Sequence, residues 1–243
     1  MINVSELPRR WEEHLTGLDW RRIEDELEEY GYAKTPALVS PSECGALMES
    51  YSDDSRFRSR IEMEHYRFGA GEYKYFSEPL PPLIQLLRET IYGGLVGIAN
   101  RWAGLMGTSK LYPPTLDEFL TICRTEGQAK PTPLLLHYNE GGYNCLHQDL
   151  YGAVSFPLQL TCVLSRVGHD FTGGEFILVE QRPRAQSRAT AISLEQGELI
   201  IFPNSHRPVK GARGYHRVNM RHGVSRVTSG QRSSLGIIFH NAK

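Results

Sequence analysis

The pattern of apolar and polar positions changes character about 130 residues into the chain. Before that point apolar residues recur at helical spacing, as in the stripe from Pro82 to Leu105, which predicts one or two long helices. Ser40, Pro41 and Glu43 provide the N-cap, the first-turn proline and the early carboxylate that begin another helix. The elements predicted in this part are helices at Leu18–Tyr30, Ser40–Ser50 and Pro82–Leu105, a short strand within Gly31–Val39, and a loop or hairpin at His65–Phe76.

Beyond Thr132 the chain consists of short apolar runs separated by glycine-rich breaks. The predicted strands are Pro133–Tyr138, Cys145–Leu150, Pro157–Ser165, Gly174–Val179, Thr190–Leu194, Glu198–Phe202, Val218–His222 and Gln231–Phe239. Seven or eight such strands predict a β-sandwich or jelly roll, and helices followed by strands lack the alternation of a Rossmann fold. We predict one α+β domain over residues 1–243, in which a mainly helical part (1–130) packs against a jelly-roll core (131–243).

Composition excludes some partners and compartments. The 243 residues carry a formal net charge of −1, which argues against broad, non-specific binding to nucleic acid, so we expect nucleic acid not to be a partner. The four cysteines form no Cys-x-x-Cys pair, which disfavours a cysteine zinc site. The N-terminus lacks the apolar stretch of a signal peptide and no long apolar run occurs, which predicts a cytoplasmic protein without a membrane span. Nothing in the sequence predicts an oligomeric state.

The charge is distributed unevenly along the chain. No acidic residue follows Glu198, whereas residues 199–243 carry eight Lys and Arg, leaving 19 basic and 28 acidic residues before them. One interpretation is that the C-terminal part binds anions. The other is that basic strands pack beside the acidic N-terminal helices, and the sequence leaves both open.

Three residues in the strand-rich half have the chemistry of a metal centre. His147 and Asp149 are two residues apart, so a strand would direct both to the same face, and His222 could supply a third ligand from a distant strand. Two imidazoles and one carboxylate on one face of a metal form the facial triad of non-haem Fe(II) oxygenases. A bare His-x-Asp is common by chance, and a surface pair is the alternative.

A second register competes for the distant histidine. His216 lies ten residues before Arg226, just as His222 lies ten residues before Arg232. The turn signal Ser229-Gly230 follows Arg226, whereas Arg232 begins an alternating strand with Leu235, Ile237 and Phe239 on the face opposite Arg232 and Ser234. We therefore predict the pair His222 and Arg232.

Taken in order, these segments resemble the 2-oxoglutarate-dependent Fe(II) oxygenases, especially their prolyl-hydroxylase-like branch, over roughly Leu134 to Phe239. The motifs that carry the resemblance are His137-Tyr138-Asn139-Glu140-Gly141-Gly142, His147-x-Asp149, Thr172-Gly173-Gly174-Glu175-Phe176, Gly197-Glu198-Leu199-Ile200-Ile201-Phe202-Pro203, His222-Gly-Val and Arg232-Ser233-Ser234-Leu235. The resemblance implies a double-stranded β-helix, which is a jelly roll, and an enzyme that uses Fe(II), 2-oxoglutarate and O₂ and releases succinate and CO₂.

The resemblance also implies roles for individual residues. His147, Asp149 and His222 would be the iron ligands and thus the catalytic residues. Arg232 would bind the distal carboxylate of 2-oxoglutarate, since a guanidinium can hold a carboxylate through two parallel hydrogen bonds. Ser234 and Tyr138 would donate further hydrogen bonds to the same cosubstrate. Related halogenases replace the carboxylate ligand by glycine or alanine, so Asp149 favours hydroxylation.

The substrate is predicted more coarsely. In this family the N-terminal segments and the loops at the barrel mouth contact the substrate. The residues predicted to do so here are Arg58, Arg60, Tyr66, Arg67 and Tyr73 on the first segment, and Lys210 and Arg213 on the basic stretch before His222. That stretch favours a small anionic metabolite, such as an amino acid or a nucleotide-like molecule. The alternatives are a prolyl or peptide hydroxylase and a cupin-like metal protein that does not use 2-oxoglutarate.

Overall fold

The helices begin where the sequence provides capping residues. The computed structural model describes residues 17–109 and 111–243, and within them the helices are α1 Trp20–Glu29, α2 Pro41–Ser50, α3 Met63–Tyr66, α4 Pro82–Leu105 and α5 Leu116–Thr125. At the start of α2, Ser40 and Glu43 form a capping box in which the Ser40 backbone N–H donates to the Glu43 carboxylate at 2.8 Å. Thr115 and Glu118 form a second capping box that begins α5, a helix absent from the predicted set.

The strands build two antiparallel sheets and one small ribbon. They are β1 Ala33–Ala37, β2 Phe57–Glu62, β3 Gly69–Ala70, β4 Glu72–Phe76, β5 Leu134–Tyr138, β6 Tyr143–His147, β7 Leu158–Val163, β8 Phe171–Gly173, β9 Phe176–Gln181, β10 Arg188–Ile192, β11 Glu198–Pro203, β12 His206–Gly211, β13 Gly214–Val224, β14 Val227–Gly230 and β15 Arg232–Ile238. The seven-stranded major sheet has the order β1-β11-β7-β15-β5-β4-β2. The minor sheet has the order β10-β9-β13-β6-β3, with β12 also paired to β13, and β14 pairs with β8. Helices on one side of two facing antiparallel sheets confirm the predicted α+β jelly roll.

Each face of the major sheet contributes to a different core. On β11, Leu199 and Ile201 join the cluster that contains α4, whereas Ile200 and Phe202 join the cluster between the two sheets. The predicted alternation on β15 is confirmed, because Leu235 and Ile237 also belong to the helix-facing cluster. The helices therefore cover the outer face of the major sheet and leave the space between the sheets for a site.

Parts of the prediction were wrong in detail. Besides its helices, the first part of the chain contributes β1, β2 and β4 to the major sheet, and of these β2 was not predicted. Strand β2, with the sequence Phe-Arg-Ser-Arg-Ile-Glu, is an edge strand whose side chains remain partly exposed, so it lacks the apolar run by which a buried strand is recognised. The segment 204–221 forms the hairpin of β12 and β13, of which the predicted strand covered only the end.

Within the described ranges, none of the helices combines the length and the apolar character that crossing a bilayer requires.

Candidate metal and cosubstrate site

The predicted metal ligands meet between the two sheets. His222 on β13 is the direct cross-strand partner of His147 on β6, and Asp149 follows two residues later. The His222 Nε2 atom lies 3.2 Å from Asp149 Oδ2, and the His147 Nε2 atom lies 3.6 Å from Asp149 Oδ1. Ligand atoms about 2.1 Å from one metal and at right angles to each other are about 3 Å apart, so the three donors fit a facial metal site. Within the described residues, this is the cluster of His, Cys, Asp and Glu able to hold a metal.

His216 does not belong to this cluster. It lies near the start of β13, where it pairs with Val209 of β12. The choice of His222 over His216 therefore agrees with the geometry.

The sequence suggested that strand alternation positions Asp149, but in the structure Asp149 lies outside the strand. Strand β6 ends at His147, two residues before Asp149, whereas alternation would require the strand to reach Asp149. The backbone N–H of Asp149 instead donates to Asn204 Oδ1 at 3.1 Å, and the Tyr151 hydroxyl donates to Asp149 Oδ1 at 2.6 Å. Between the two ligands, Gln148 Nε2 donates to the Met220 carbonyl oxygen at 2.7 Å. Hydrogen bonds with Asn204 after β11 and with Met220 on β13 thus hold the ligand loop.

Each imidazole is oriented by its surroundings. The His147 Nδ1 atom is 2.8 Å from the Cys145 carbonyl oxygen, which can only accept, so Nδ1 carries the proton and Nε2 presents its lone pair to a metal. The His222 ring packs between Phe176 and Phe202, with ring centroids 5.8 and 4.7 Å away. Aromatic packing therefore fixes the second imidazole, and a hydrogen bond fixes the first.

The charge states suit a divalent cation. Burial raises the pKa of Asp149, but hydrogen bonding to His222 and the charges of His222 and His147 outweigh burial and hold that pKa well below its usual range. Burial, together with the nearby His147, lowers the pKa of His222, despite the opposing effect of Asp149. An ionised carboxylate beside a neutral imidazole is the form in which these groups bind Fe(II).

Arg232 is a buried cation that faces the same space. Its side chain is 1% exposed, and its Nη1 donates to Ser234 Oγ at 3.0 Å. Its Nε has no hydrogen-bond partner within the described part of the chain. A buried guanidinium with unused donors is costly unless an anion binds it, so Arg232 and Ser234 fit the distal carboxylate of 2-oxoglutarate.

Tyr138 lies directly opposite Arg232 in the sheet register and is fully buried. Burial raises the pKa of its hydroxyl to about 12, so this hydroxyl stays protonated and can donate. Together with the three ligands, Arg232 and Ser234, it lines a cavity of about 310 Å³, a size that suits a small cosubstrate and part of a substrate. Its contact with 2-oxoglutarate remains a prediction.

The residues predicted to contact the substrate are placed at different distances from this cavity. Arg67 and Tyr73 line it, and Arg58 stacks over the ring of Tyr75, another lining residue, at 4.4 Å. The others do not line it: Arg60 pairs with Glu72, Tyr66 stacks on Phe68, and Lys210 and Arg213 lie exposed on the hairpin of β12 and β13. All seven roles remain predictions.

Three supporting residues escaped the sequence reasoning. The ligand loop is held by Gln148, Tyr151 and Asn204. Gln148 lies within the His-x-Asp motif and Tyr151 lies two residues after it. Their proximity to His147 and Asp149 was the one available signal. Asn204 is 55 residues from Asp149, and nothing in the sequence links the two.

The fold and the site define the class: the chain is a non-haem Fe(II) dioxygenase that uses 2-oxoglutarate and O₂. A model of the Oxygenase-NA family, described as an oxygenase catalysing oxidative methylation of damaged DNA, matches residues 71–242. The chain belongs to this family, because the match covers well over half of its length. Relatives from two strains of Mycobacterium tuberculosis, both uncharacterized proteins, are 46% identical over 167 residues, which is 69% of this chain and 72% of theirs.

Solved structures of similar fold include prolyl hydroxylases and another 2OG-Fe(II) oxygenase. A prolyl-4-hydroxylase from Pseudomonas putida superposes with a TM-score of 0.54 at 13% identity, over 92% of this chain and all of that one. A prolyl hydroxylase from Trichoplax adhaerens, solved with a hypoxia inducible factor peptide, gives 0.58 at 12% identity, over 98% and 94%. An oxidoreductase of the 2OG-Fe(II) oxygenase family from Burkholderia pseudomallei gives 0.52 at 14% identity, over 93% of each chain. Identities this low support the fold and leave the substrate open.

Proposed function

We propose that this oxygenase hydroxylates a C–H bond of a base in nucleic acid. The bound iron, 2-oxoglutarate and O₂ supply the oxidation, in which one oxygen atom enters the substrate C–H bond and the other enters succinate as CO₂ leaves. Asp149 occupies a ligand position that a halide would need, which supports hydroxylation over halogenation. Arg232 and Ser234 hold the cosubstrate, and the apolar walls of the cavity keep water from the reacting carbon.

The observation that carries this proposal is a group of exposed aromatic and apolar side chains beside the cavity, which we call the aromatic rim. Ten large hydrophobic side chains are exposed in the described residues, and half of them lie on the two segments that border the cavity: Tyr66, Phe68, Tyr143, Leu146 and Leu150. Tyr66 and Phe68 stack with ring centroids 5.4 Å apart and planes 19° apart. The two segments are adjacent, since the Cys145 backbone N–H donates to the Phe68 carbonyl oxygen at 2.7 Å. Exposed apolar surface around a cavity marks a binding site.

Arginines alternate with these aromatic rings. Arg67 lies between Tyr66 and Phe68 in the left-handed conformation and lines the cavity, and the Arg226 guanidinium lies 6.0 Å from the centre of the Tyr143 ring. Aromatic side chains interleaved with arginines stack planar bases, each base contributing about 1–3 kcal/mol, and the cations neutralise phosphates.

Two earlier expectations are revised by this proposal. Nucleic acid seemed unlikely from the net charge, yet the family is described as acting on damaged DNA. The small anionic metabolite was favoured by Lys210 and Arg213, which do not line the cavity. A nucleotide-like substrate was one of the predicted metabolites, and a free nucleotide therefore serves as the comparison in the test.

The test is a substrate panel in which succinate and oxidised product are both measured. The panel holds N-methylated bases as free nucleotides, the same bases in single-stranded oligonucleotides, and a proline-containing peptide. Hydroxylation of an N-methyl group gives an N-hydroxymethyl base, which releases formaldehyde and leaves the N–H base, so formaldehyde is a further readout. We expect turnover with the oligonucleotide. Turnover with the peptide alone would support the prolyl hydroxylase alternative, and iron-dependent activity without succinate would support a cupin-like enzyme.

A matched pair of variants tests the rim itself. We expect the double variant Tyr66→Ala/Phe68→Ala to raise KM for the oligonucleotide at least tenfold, because two stacking surfaces are lost. Tyr30→Ala removes an aromatic ring of similar exposure at the end of α1 and is expected to leave KM unchanged. Equal KM values in both variants would contradict the proposed role of the rim.

A further inference from the structure

A second surface of the protein is strongly basic and lies outside the cavity. The loop after β9 and the hairpin of β12 and β13 enclose a concavity of about 350 Å³ lined by Arg182, Arg184, His206, Arg217 and Asn219. The exposed side chains of Lys210, Arg213 and Arg221 lie on the same hairpin. We call these residues the basic surface; it includes four of the eight Lys and Arg of the acid-free stretch 199–243.

Little negative charge balances this surface. Glu180 is buried beneath it and is shared by Arg207, Arg182 and Arg188. By contrast, Arg184, Arg217 and Arg221, like the two basic residues at the hairpin tip, form no ion pair with any carboxylate in the described ranges. Like charges gathered without counter-charges are unfavourable on their own and form a binding site for anions.

One side of this concavity is polar without being charged. Arg217 Nη2 lies 3.1 Å from His206 Nδ1. Burial and the charge of Arg217 lower the pKa of His206, so the imidazole is neutral near pH 7 and accepts this hydrogen bond. This hydrogen bond orients the guanidinium of the exposed Arg217 side chain.

The basic surface and the metal centre are joined by one side chain. Gln148, between the two ligands His147 and Asp149, lines the catalytic cavity and donates from Nε2 to Asn219 Oδ1 at 2.7 Å. Asn219 lines the basic concavity. A single wall thus separates the two sites, so a ligand that spans several nucleotides could occupy both.

We infer that the basic surface binds the sugar-phosphate backbone of the nucleic acid whose base enters the cavity; this inference rests on the proposed function. Regularly spaced phosphates match a row of arginines along an exposed strand, and a single small anion would use only part of it. The loop between β9 and β10 presents arginines with no large apolar side chain, and Tyr215 is the one exposed large hydrophobic residue among the described residues of the hairpin, so little apolar surface is available to insert into a bilayer.

The test measures binding of a fluorescently labelled, unmodified single-stranded oligodeoxythymidylate by anisotropy over a range of salt concentrations. We expect Arg184→Gln/Arg217→Gln to weaken binding about tenfold and to reduce the slope of log K against log salt by about 1.4, because single strands lose about 0.7 per phosphate contact. The control, Arg21→Gln/Lys130→Gln, removes two exposed positive charges elsewhere and is expected to bind like the wild type. Both variants should retain the visible charge-transfer band of the Fe(II)–2-oxoglutarate complex.

Each outcome decides the inference. Equal affinity and salt slope in the wild type and in Arg184→Gln/Arg217→Gln would overturn it, as would absence of wild-type binding at about 100 mM salt. If the oligonucleotide binds through these arginines but no base is oxidised, the basic surface still binds a sugar-phosphate backbone and the proposed function fails. If bases are oxidised and the two arginines have no effect on binding, the proposed function stands and the inference fails.

Discussion

The two faces of strand β13 differ in almost every property. Val218, Met220 and His222 point inward and are buried, and the last of them completes the metal site. Arg217 and Arg221 alternate with them and point outward into solvent. The comparison shows that a net charge of −1 says little about the charge of one surface, because strand alternation places neighbouring charged and apolar side chains on opposite faces of a sheet.

The largest expected effect comes from a substitution on the inner face of β13. His222→Ala should lower Fe(II) affinity more than 100-fold, since losing even a residue that only supports a ligand costs 10- to 100-fold. His216→Ala, on the same strand, should leave the affinity unchanged. Anaerobic titration with Fe(II) and 2-oxoglutarate, followed by the charge-transfer band, measures both, and a band retained in His222→Ala would mean that the ligand set is wrong.

A stability measurement compares a buried and an exposed arginine of the hairpin. Arg207 is buried, pairs with Glu180 and donates to the Glu28 carbonyl oxygen at 2.6 Å. Arg207→Ala should lower the free energy of unfolding by about 3 kcal/mol, because the buried Glu180 carboxylate loses its buried partner and keeps only the more exposed Arg182 and Arg188. Arg217→Ala should change it by less than about 0.5 kcal/mol, because an exposed side chain is removed. Urea denaturation gives both values, and a similar loss in the two variants would show that exposure does not distinguish them.

The two faces of strand β15 also differ, because only one of them faces the predicted 2-oxoglutarate site. Arg232→Ala should weaken 2-oxoglutarate binding about 100-fold, which corresponds to about 2.7 kcal/mol for two charge-assisted hydrogen bonds. Ser233→Ala alters the opposite face, where Ser233 Oγ lies 3.2 Å from His137 Nδ1, and should leave binding unchanged. The apparent Kd for 2-oxoglutarate in the anaerobic titration provides the comparison; if both variants bind normally, Arg232 does not hold the cosubstrate.

The smallest of these effects concerns how Asp149 is held. Tyr151→Phe removes the hydroxyl that donates to Asp149 Oδ1 and should lower Fe(II) affinity about tenfold through misorientation of the carboxylate. Tyr75→Phe removes a hydroxyl that donates to Tyr151 at 3.2 Å but does not reach Asp149, so its effect should be smaller. Fe(II) competition titrations measure both affinities. If Tyr75→Phe lowered Fe(II) affinity more than Tyr151→Phe did, Tyr151 would have no positioning role.

The sequence by itself determined the features that depend on neighbouring residues. The capping residues at Ser40 and Glu43 predicted a helix, and the alternation after Arg232 predicted which side chains face the helices and which face the site. The candidate ligands could be predicted because His147 and Asp149 are close in sequence, and because only the short strand β14 separates His222 on β13 from Arg232 on β15.

Only the tertiary structure decided what depends on distant pairing. Asn204 supports Asp149 across 55 residues, and the edge strand β2 joins the major sheet through pairing with β4, although its own sequence lacks an apolar run. The aromatic rim and the basic surface each combine segments that are far apart along the chain, so neither is visible as a motif. The physical reason is that hydrogen bonds and stacking act at a few ångströms in space, whereas a sequence pattern records only local order along the chain.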